Sequence, residues 1–149
     1  MTLDQPQRGR LVGREHRFPV RVFFEDTDLS GVVYHANYLR YMERARSDML
    51  SVAGIDQRAA FDAGEGYYVV ADLSIRYRRP ARLDDALVVV TTIKGFTAAS
   101  ATIHQRVMLD REVLTEAEVL AAFVAPVSGR PRRQPREWLA VFERLLEDE

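Results

Sequence analysis

The hydrophobic pattern of this chain changes period once, and that change limits the folds open to it. From residue 38 to residue 52 the apolar side chains recur at helical spacing, as in an amphipathic helix that packs on one face. Between residues 69 and 124 four runs alternate apolar with polar residues or are rich in β-branched ones, which is typical of strands. One long helix can cover one face of one sheet. We therefore predict an α+β fold in which an antiparallel sheet wraps around a central helix.

Local signals place the boundaries of these elements. Gly54 follows the long helix as its C′ residue. Lys94-Gly95 and Asp110-Arg111 mark turns, so the last three strands form an antiparallel meander in a sheet of five strands. The predicted elements are a strand over 18–25, the helix over 38–52, a helical turn over 56–62, strands over 69–77, 87–93, 101–109 and 112–124, and a helix over 138–145.

Length and composition indicate one globular domain. The chain has 149 residues, of which 47% are hydrophobic and 29% charged. Residues 1–16 contain Pro6, Gly9 and Gly13 and show no period, so we predict a flexible tail followed by a single domain over 17–149. Unlike His35, His16 and His104 do not lie in a loop with candidate catalytic residues, and we expect both at the surface.

Composition also excludes several functions. The chain has no cysteine, which rules out disulfides, thiol nucleophiles and thiolate metal sites. The net charge of −1 gives no general attraction to nucleic acid or to anionic membranes. No apolar run reaches the length of a membrane span, and the polar N-terminus lacks the apolar segment of a signal peptide. We expect a cytoplasmic protein without a nucleic-acid partner.

One loop, between the first strand and the long helix, carries most of the candidate chemistry. Asp28 follows the strand, the chain turns on Gly31, and His35 precedes the helix. The first N–H groups of a helix have no intrahelical partner and lie at the positive end of its dipole. A carboxylate, an imidazole and such N–H groups are the parts needed to attack a polarised carbonyl. Asp26 is interpreted as a structural residue that caps the turn.

Other readings of this loop are possible. Asp28 taken alone is equally consistent with an ordinary turn aspartate. The spacing of Asp26, Asp28 and Ser30-Gly31 imitates the start of a calcium loop, but the final bidentate Glu of such a loop falls on Asn37. A Ser-His-Asp triad lacks its Gly-x-Ser-x-Gly motif, and the three histidines have no ligand spacing. We expect no bound metal.

The same loop is part of a family signature. The residues that carry it are Asp26-Thr27-Asp28-x-x-Gly31-Val32-Val33-Tyr34-His35-x-x-Tyr38, then Tyr41, Glu43, Arg44 and Arg46, with further matches at Tyr77-Arg78-Arg79-Pro80-Ala81-Arg82-Leu83-Asp84-Asp85 and Leu114-Thr115-Glu116-Ala117-Glu118-Val119. Together, over roughly residues 18–135, the chain resembles hot-dog-fold acyl-CoA thioesterases of the 4-hydroxybenzoyl-CoA-thioesterase-like class. Within that class it is most similar to the YbgC type associated with the Tol-Pal system.

The resemblance implies hydrolysis of acyl-CoA thioesters and assigns roles by position. Asp28 falls on the catalytic carboxylate, as general base or as nucleophile. His35 falls on the family's histidine, and the backbone N–H at that position is implied to polarise the thioester carbonyl. Gly31, Tyr34 and Asn37 fall on positions implied to contact the substrate.

The substrate's coenzyme A portion suggests further residues. Its phosphates need cations at the mouth of the site. The candidates are Arg76, Arg78, Arg79, Arg82 and Lys94, and among them Arg76, Arg78 and Lys94 are predicted to bind the substrate. Coenzyme A is then part of the substrate and no separate cofactor is implied, while an acyl carrier protein is a possible further partner. Phe24 departs from the family pattern, in which a tyrosine is common at this point, so a proton-relay hydroxyl is missing here.

The resemblance further implies a homodimer or homotetramer with sites between subunits. Outward-facing apolar residues agree with burial against a second copy. These residues are Val70, Val88, Val90, Leu120 and Val124.

Alternatives remain at this point. The hot-dog fold also hosts acyl-carrier hydratases and dehydratases, and a catalytically silent member could serve as an acyl-CoA-binding or scaffold protein. Glu43 and Asp48 compete with Asp28 because a related thioesterase branch has its catalyst on the central helix. Their position on the polar face ranks them second.

Overall fold

The computed structural model describes residues 4–146, and within that range it contains six strands and three α-helices. The strands are Arg10–Val12 (β1), Glu15–Arg21 (β2), Tyr67–Tyr77 (β3), Ala86–Phe96 (β4), Ser100–Leu109 (β5) and Glu112–Val124 (β6). The helices are Asn37–Val52 (α1), Gln57–Asp62 (α2) and Arg136–Leu145 (α3). None of these helices is long and apolar enough to cross a membrane.

The strands form one antiparallel sheet in the order β1-β2-β4-β5-β6-β3, and α1 packs across one of its faces. The predicted hot-dog α+β fold and its β4-β5-β6 meander are confirmed, but the predicted count of five strands is wrong. The additional strand, β1, has only three residues. It turns into β2 at Gly13-Arg14, where Gly13 has a φ of 61° that favours glycine.

The sheet therefore begins before the predicted domain start. β1 and the first residues of β2 lie within the segment 1–16 that we expected to be a flexible tail, whereas residues 1–3 lie outside the described range. His16 belongs to β2 and is fully buried, so the expectation that it lies at the surface is wrong.

Two turns also differ from prediction. β2 ends at Arg21, and Phe24–Asp26 forms a 3₁₀ turn instead of strand, because the Asp26 carboxylate accepts a hydrogen bond from the Phe23 N–H at 2.8 Å. Lys94 and Gly95 do not turn the chain. They lie inside β4, next to an irregularity in its pairing with β5, and the turn follows at residues 97–99.

The apolar face of α1 packs against the sheet and completes the core, as its helical hydrophobic period predicts. Tyr41, Met42, Ala45 and Met49 are each at most 2% exposed and pack among the inward side chains of the sheet. Burying one such side chain stabilises a fold by about 1.5–3 kcal/mol. Gly54, with a φ of 92°, follows the helix as predicted.

β3 is an open edge of the sheet. It is eleven residues long, and among residues 4–146 its one strand partner is β6. Val69, Val70 and Tyr77 on this strand are 38%, 52% and 44% exposed. Long, apolar edge strands are rarely left unpaired in stable proteins. The other edge, β1, has only three residues.

A partly buried clamp attaches the N-terminal segment to α1. His16 Nε2 and the Gly9 N–H both contact Asp48 Oδ2, at 2.7 and 2.9 Å. A Cβ atom at Gly9 would lie 2.5 Å from the Arg17 carbonyl oxygen and 2.8 Å from Asp48 Oδ2. Only glycine fits this position without moving the clamp.

We expect Gly9→Ala to destabilise the protein because its Cβ overpacks the clamp. Overpacking of this kind costs about 1–3 kcal/mol, which lowers Tm by several degrees in a domain of this size. Gly95→Ala is the matched control, since nothing lies within 4 Å of its added Cβ. Thermal unfolding followed by circular dichroism decides: equal Tm values for the two variants contradict the steric role of Gly9.

Candidate active site

The predicted functional loop is a tight hairpin. Thr27 and Val33 pair across it, the Asp28 N–H donates to the Val32 carbonyl at 3.0 Å, and the Gly31 N–H donates to the Asp28 carbonyl at 3.0 Å. Gly31 has a φ of 84°, the left-handed conformation that closes such a loop. The hairpin fixes the backbone of Asp28 and leaves its side chain exposed.

The Asp28 carboxylate is held in its ionised form. Its Oδ1 accepts hydrogen bonds from the Ser30 hydroxyl at 2.5 Å and from the Ser30 N–H at 2.8 Å. These two bonds, together with a smaller contribution from the charge of His35, lower the pKa of Asp28 below its ordinary value. An ionised carboxylate can accept a proton from water or attack a carbonyl directly.

Asp26 connects the hairpin to the start of α1, as its predicted structural role requires. One carboxylate oxygen accepts from Phe23 N–H, and the other accepts from Asn37 Nδ2 at 2.9 Å. Its backbone carbonyl also accepts from Tyr34 N–H at 2.9 Å. Asn37 is 8% exposed, so its amide, a predicted substrate contact, is occupied within the protein by Asp26.

The start of α1 offers free hydrogen-bond donors. The N–H groups of Asn37 and Leu39 donate to the carbonyls of Tyr34 and Ala36. The N–H groups of His35 and Ala36, in contrast, have no acceptor among residues 4–146. Both lie at the positive end of a sixteen-residue helix. Adjacent N–H groups of this kind can stabilise an oxyanion.

An aromatic cleft surrounds His35. Its ring centroid lies 4.7 Å from that of Tyr34 and 6.1 Å from that of Tyr77. The Tyr77 hydroxyl donates to the His35 carbonyl at 2.9 Å, and burial raises the pKa of Tyr77. The cleft has a volume of about 270 Å³ and includes Tyr38 and Arg78. Sequence reasoning missed Tyr77 in this role, although its place at the end of a strand was visible.

The three predicted phosphate-binding cations do not share this cleft. Arg78 lines it, with Nη2 3.0 Å from Glu116 Oε2. Arg76 lies in a neighbouring groove. Lys94 lies in a third groove, with Nζ 3.1 Å from Glu118 Oε2. Arg78 is therefore the candidate that the fold brings next to His35.

A larger cavity of about 460 Å³ lies along α1, at the opposite end of β3. Its wall is mainly apolar, and its polar members come largely from α1. The lining residues are Glu43, Arg46, Ser47, Met49, Leu50, Gln57, Tyr68, Val69, Val70, Ala101, Ile103, Ala121 and Phe142. A cavity of this size is typical of sites for small organic ligands.

Metal-ligand chemistry finds no support in the described part of the chain. Residues 4–146 contain no group of three or more His, Cys, Asp or Glu side chains arranged to hold a metal ion. Asp48, one of the competing carboxylates, is occupied by His16 and Gly9. Glu43 is exposed and lines the larger cavity.

Comparison with known proteins identifies the class. Residues 22–142 match the thioesterase-like superfamily, and the chain belongs to this superfamily. A crystal structure of a probable thioesterase from Bartonella henselae has a TM-score of 0.76 and 35% identity, and the match covers 81% of this chain and 99% of that one.

The curated relatives narrow the class to the YbgC type. The acyl-CoA thioester hydrolase YbgC of Escherichia coli is 41% identical over 128 residues, which are 85% of this chain and 95% of the relative. The acyl-CoA thioesterase YbgC of Haemophilus influenzae is 39% identical over 128 residues, or 86% and 94% of the two chains. The resemblance found in the loop is thus confirmed.

The hydrogen bonds at Asp28 give a testable pH dependence. Because Ser30 stabilises the ionised form, we expect Asp28 to stay charged as the pH falls to below the ordinary aspartate value of 3.8. Ser30→Ala removes the hydroxyl and should raise the pKa of Asp28 toward that value. Carbon-13 NMR titration of the Asp28 carboxyl measures this pKa in the wild type and in the variant. A wild-type pKa above 3.8, or the same pKa in both proteins, contradicts a role of the Ser30 hydrogen bonds.

Proposed function

We propose that this protein hydrolyses acyl-CoA thioesters to a free acid and coenzyme A. The observation that carries the proposal is an ionised carboxylate, Asp28, on the hydrogen-bonded hairpin that leads directly into the free N–H groups of His35 and Ala36. The identity of the chain with YbgC relatives over most of its length supports the same reaction. Coenzyme A is part of the substrate, and we propose no metal or separate cofactor.

Each of these groups has a separate role in the reaction. The thioester carbonyl oxygen accepts hydrogen bonds from His35 and Ala36 N–H, which stabilise the negative charge that develops on it. On the general-base route, Asp28 takes a proton from water while the water oxygen bonds to the carbonyl carbon. The tetrahedral intermediate then expels the coenzyme A thiolate, which recovers the proton.

The nucleophilic route uses the same atoms in another order. An Asp28 oxygen bonds to the carbonyl carbon and the C–S bond breaks, leaving a mixed anhydride and the thiolate. Water then cleaves the anhydride and restores Asp28. His35, whose ring lies tilted against Tyr34 and edge-on to Tyr77, orients the substrate or transfers the proton to the leaving sulfur.

We infer that a second copy completes the site by pairing along β3. Val70 and Tyr77 are about 23 Å apart along this strand, at about 3.3 Å per residue. In a two-fold antiparallel pair, the Tyr77 end of one strand lies beside the Val69-Val70 end of the other. The His35 cleft of one copy then adjoins the larger cavity of its partner, which receives the acyl group.

Dimerisation rests on this edge rather than on all the apolar residues first considered. Val90 and Val124 are already 1% and 5% exposed within one chain, so the expectation that they need a partner to be buried is wrong. Val70 is 52% exposed and remains a candidate. Further pairing to a tetramer, an acyl carrier protein as partner and a cytoplasmic location stay predictions.

The central test is Asp28→Asn, which keeps the shape of the side chain but removes its basicity. Because general-base catalysis contributes about 10²–10⁴-fold, we expect kcat for acyl-CoA hydrolysis to fall by at least about two orders of magnitude without loss of folding. Thiol release with short, medium, long and aromatic acyl-CoAs is the measurement. Asp62→Asn, on the exposed side of α2, is the matched control.

The rivals give different results in the same assay. Full turnover in Asp28→Asn with loss in Glu43→Gln assigns the catalyst to α1 and refutes our assignment. Hydration of an unsaturated acyl-CoA without thiol release indicates a hydratase. Tight binding with neither reaction indicates a binding or scaffold protein.

Assembly is tested by charge at the open edge. We expect Val70→Asp to reduce the particle mass, measured by light scattering, from twice the 17.0 kDa chain to one chain, because it buries an unpaired charge at the pairing strand. Val127→Asp is the control, since Val127 is fully exposed outside the strands. Val70 also lines the cavity, so mass is the deciding readout. A fully active wild-type monomer at micromolar concentration overturns the proposal.

A further inference from the structure

Arg46 is an unusual member of the larger cavity. Its side chain projects from α1 into a mostly apolar wall, and burial lowers the pKa of its guanidinium. No carboxylate among residues 4–146 forms an ion pair with it. Its one hydrogen bond there runs from Nη1 to Gln105 Oε1, at 2.9 Å. Arg46 is only partly buried, but even partial burial of a cation without an ion-pair partner is unfavourable.

Gln105 holds the guanidinium in place. This residue is fully buried in β5, and its Nε2 donates to the Met42 carbonyl at 2.9 Å and to Thr91 Oγ1 at 3.0 Å. Those two bonds fix which end of the amide is the oxygen, and the oxygen faces Arg46. A guanidinium has five N–H donors in a rigid plane, so donors remain for a further acceptor.

We propose that Arg46 recognises the far end of the acyl group and favours chains that end in an oxygen acceptor. The inference rests on the proposed function, since it deepens the substrate class of that site. The apolar wall takes the methylene or ring portion, and the terminal oxygen accepts from the guanidinium. Charge-assisted hydrogen bonds of this kind are about twice as strong as neutral ones.

The polar neighbours of Arg46 bear on which oxygen is preferred. Glu43 and Ser47 line the same cavity, and the charge of Glu43 partly offsets the effect of burial on Arg46. A hydroxyl can accept from Arg46 and donate to Glu43, whereas a carboxylate accepts from Arg46 but is repelled by Glu43. Both share the oxygen acceptor, and separate substrates distinguish them.

A purely structural role for Arg46 makes a different prediction. If its bond to Gln105 only ties α1 to β5, its loss lowers stability and affects all acyl chains alike. Recognition instead changes the ratio of kcat/KM between chains with and without a terminal oxygen. This ratio is the readout that a structural role does not move.

The experiment compares plain, ω-hydroxy and ω-carboxy acyl-CoAs at six, eight, ten and twelve carbons. We expect wild-type kcat/KM to favour an oxygen-ended chain by about tenfold or more at the length that reaches Arg46. Arg46→Met should abolish that preference, and Arg46→Lys should restore part of it. Arg58→Met is the matched control, because the Arg58 side chain is 93% exposed.

Either oxygen-ended series, if preferred in this way, supports the proposal and identifies the terminal group. An unchanged preference in Arg46→Met, or equal losses for all chains, overturns it. If the wild type releases no thiol, the proposed function fails, and calorimetric binding of the matching thioether analogues still decides the role of Arg46. Equal affinity of plain and oxygen-ended analogues then refutes it.

Discussion

The hydrogen bonds of the Asp26 carboxylate are the constraint on which the site depends. One oxygen accepts from the Phe23 N–H, two residues after β2 ends at Arg21, and the other holds Asn37 in the first turn of α1. Strand end, hairpin and helix start are thereby joined through one short side chain. The hairpin presents the Asp28 carboxylate, and the segment just before α1 presents the His35 N–H. Exposed loops are otherwise mobile, whereas catalytic groups need positions fixed to within about half an ångström.

Much of the fold could be predicted because hydrophobic period is a local property. The span of α1 and the β4-β5-β6 meander follow from it directly. β1 could not be predicted, because three residues are too few to show a hydrophobic period. The segment is also held by the contacts of Gly9 and His16 with Asp48, which is remote from them in sequence. Gly95 was interpreted as a turn residue, whereas it lies inside β4, where the pairing with β5 shifts register.

Some residues of the candidate site could likewise be predicted from the sequence, and others could not. Asp28 and His35 could be predicted because they belong to one loop whose residue order already limits their separation. The placement of Tyr77 beside His35 and of Arg46 in the cavity wall could not, since it depends on which strand end meets the helix start and on how α1 packs against the sheet. Lys94 stays a prediction: its charge suits a phosphate, but the fold of one chain places it in a different groove from His35.

The open edge at β3 has a consequence for heredity. If the Tyr77 end of one chain serves the cleft and the Val69-Val70 end of its partner serves the acyl group, each site is a joint product of two chains. A cell that carries one allele damaged at Asp28 and another damaged in the cavity then forms mixed dimers. In each mixed dimer one site inherits both defects and the other inherits neither, so two inactive alleles together restore activity.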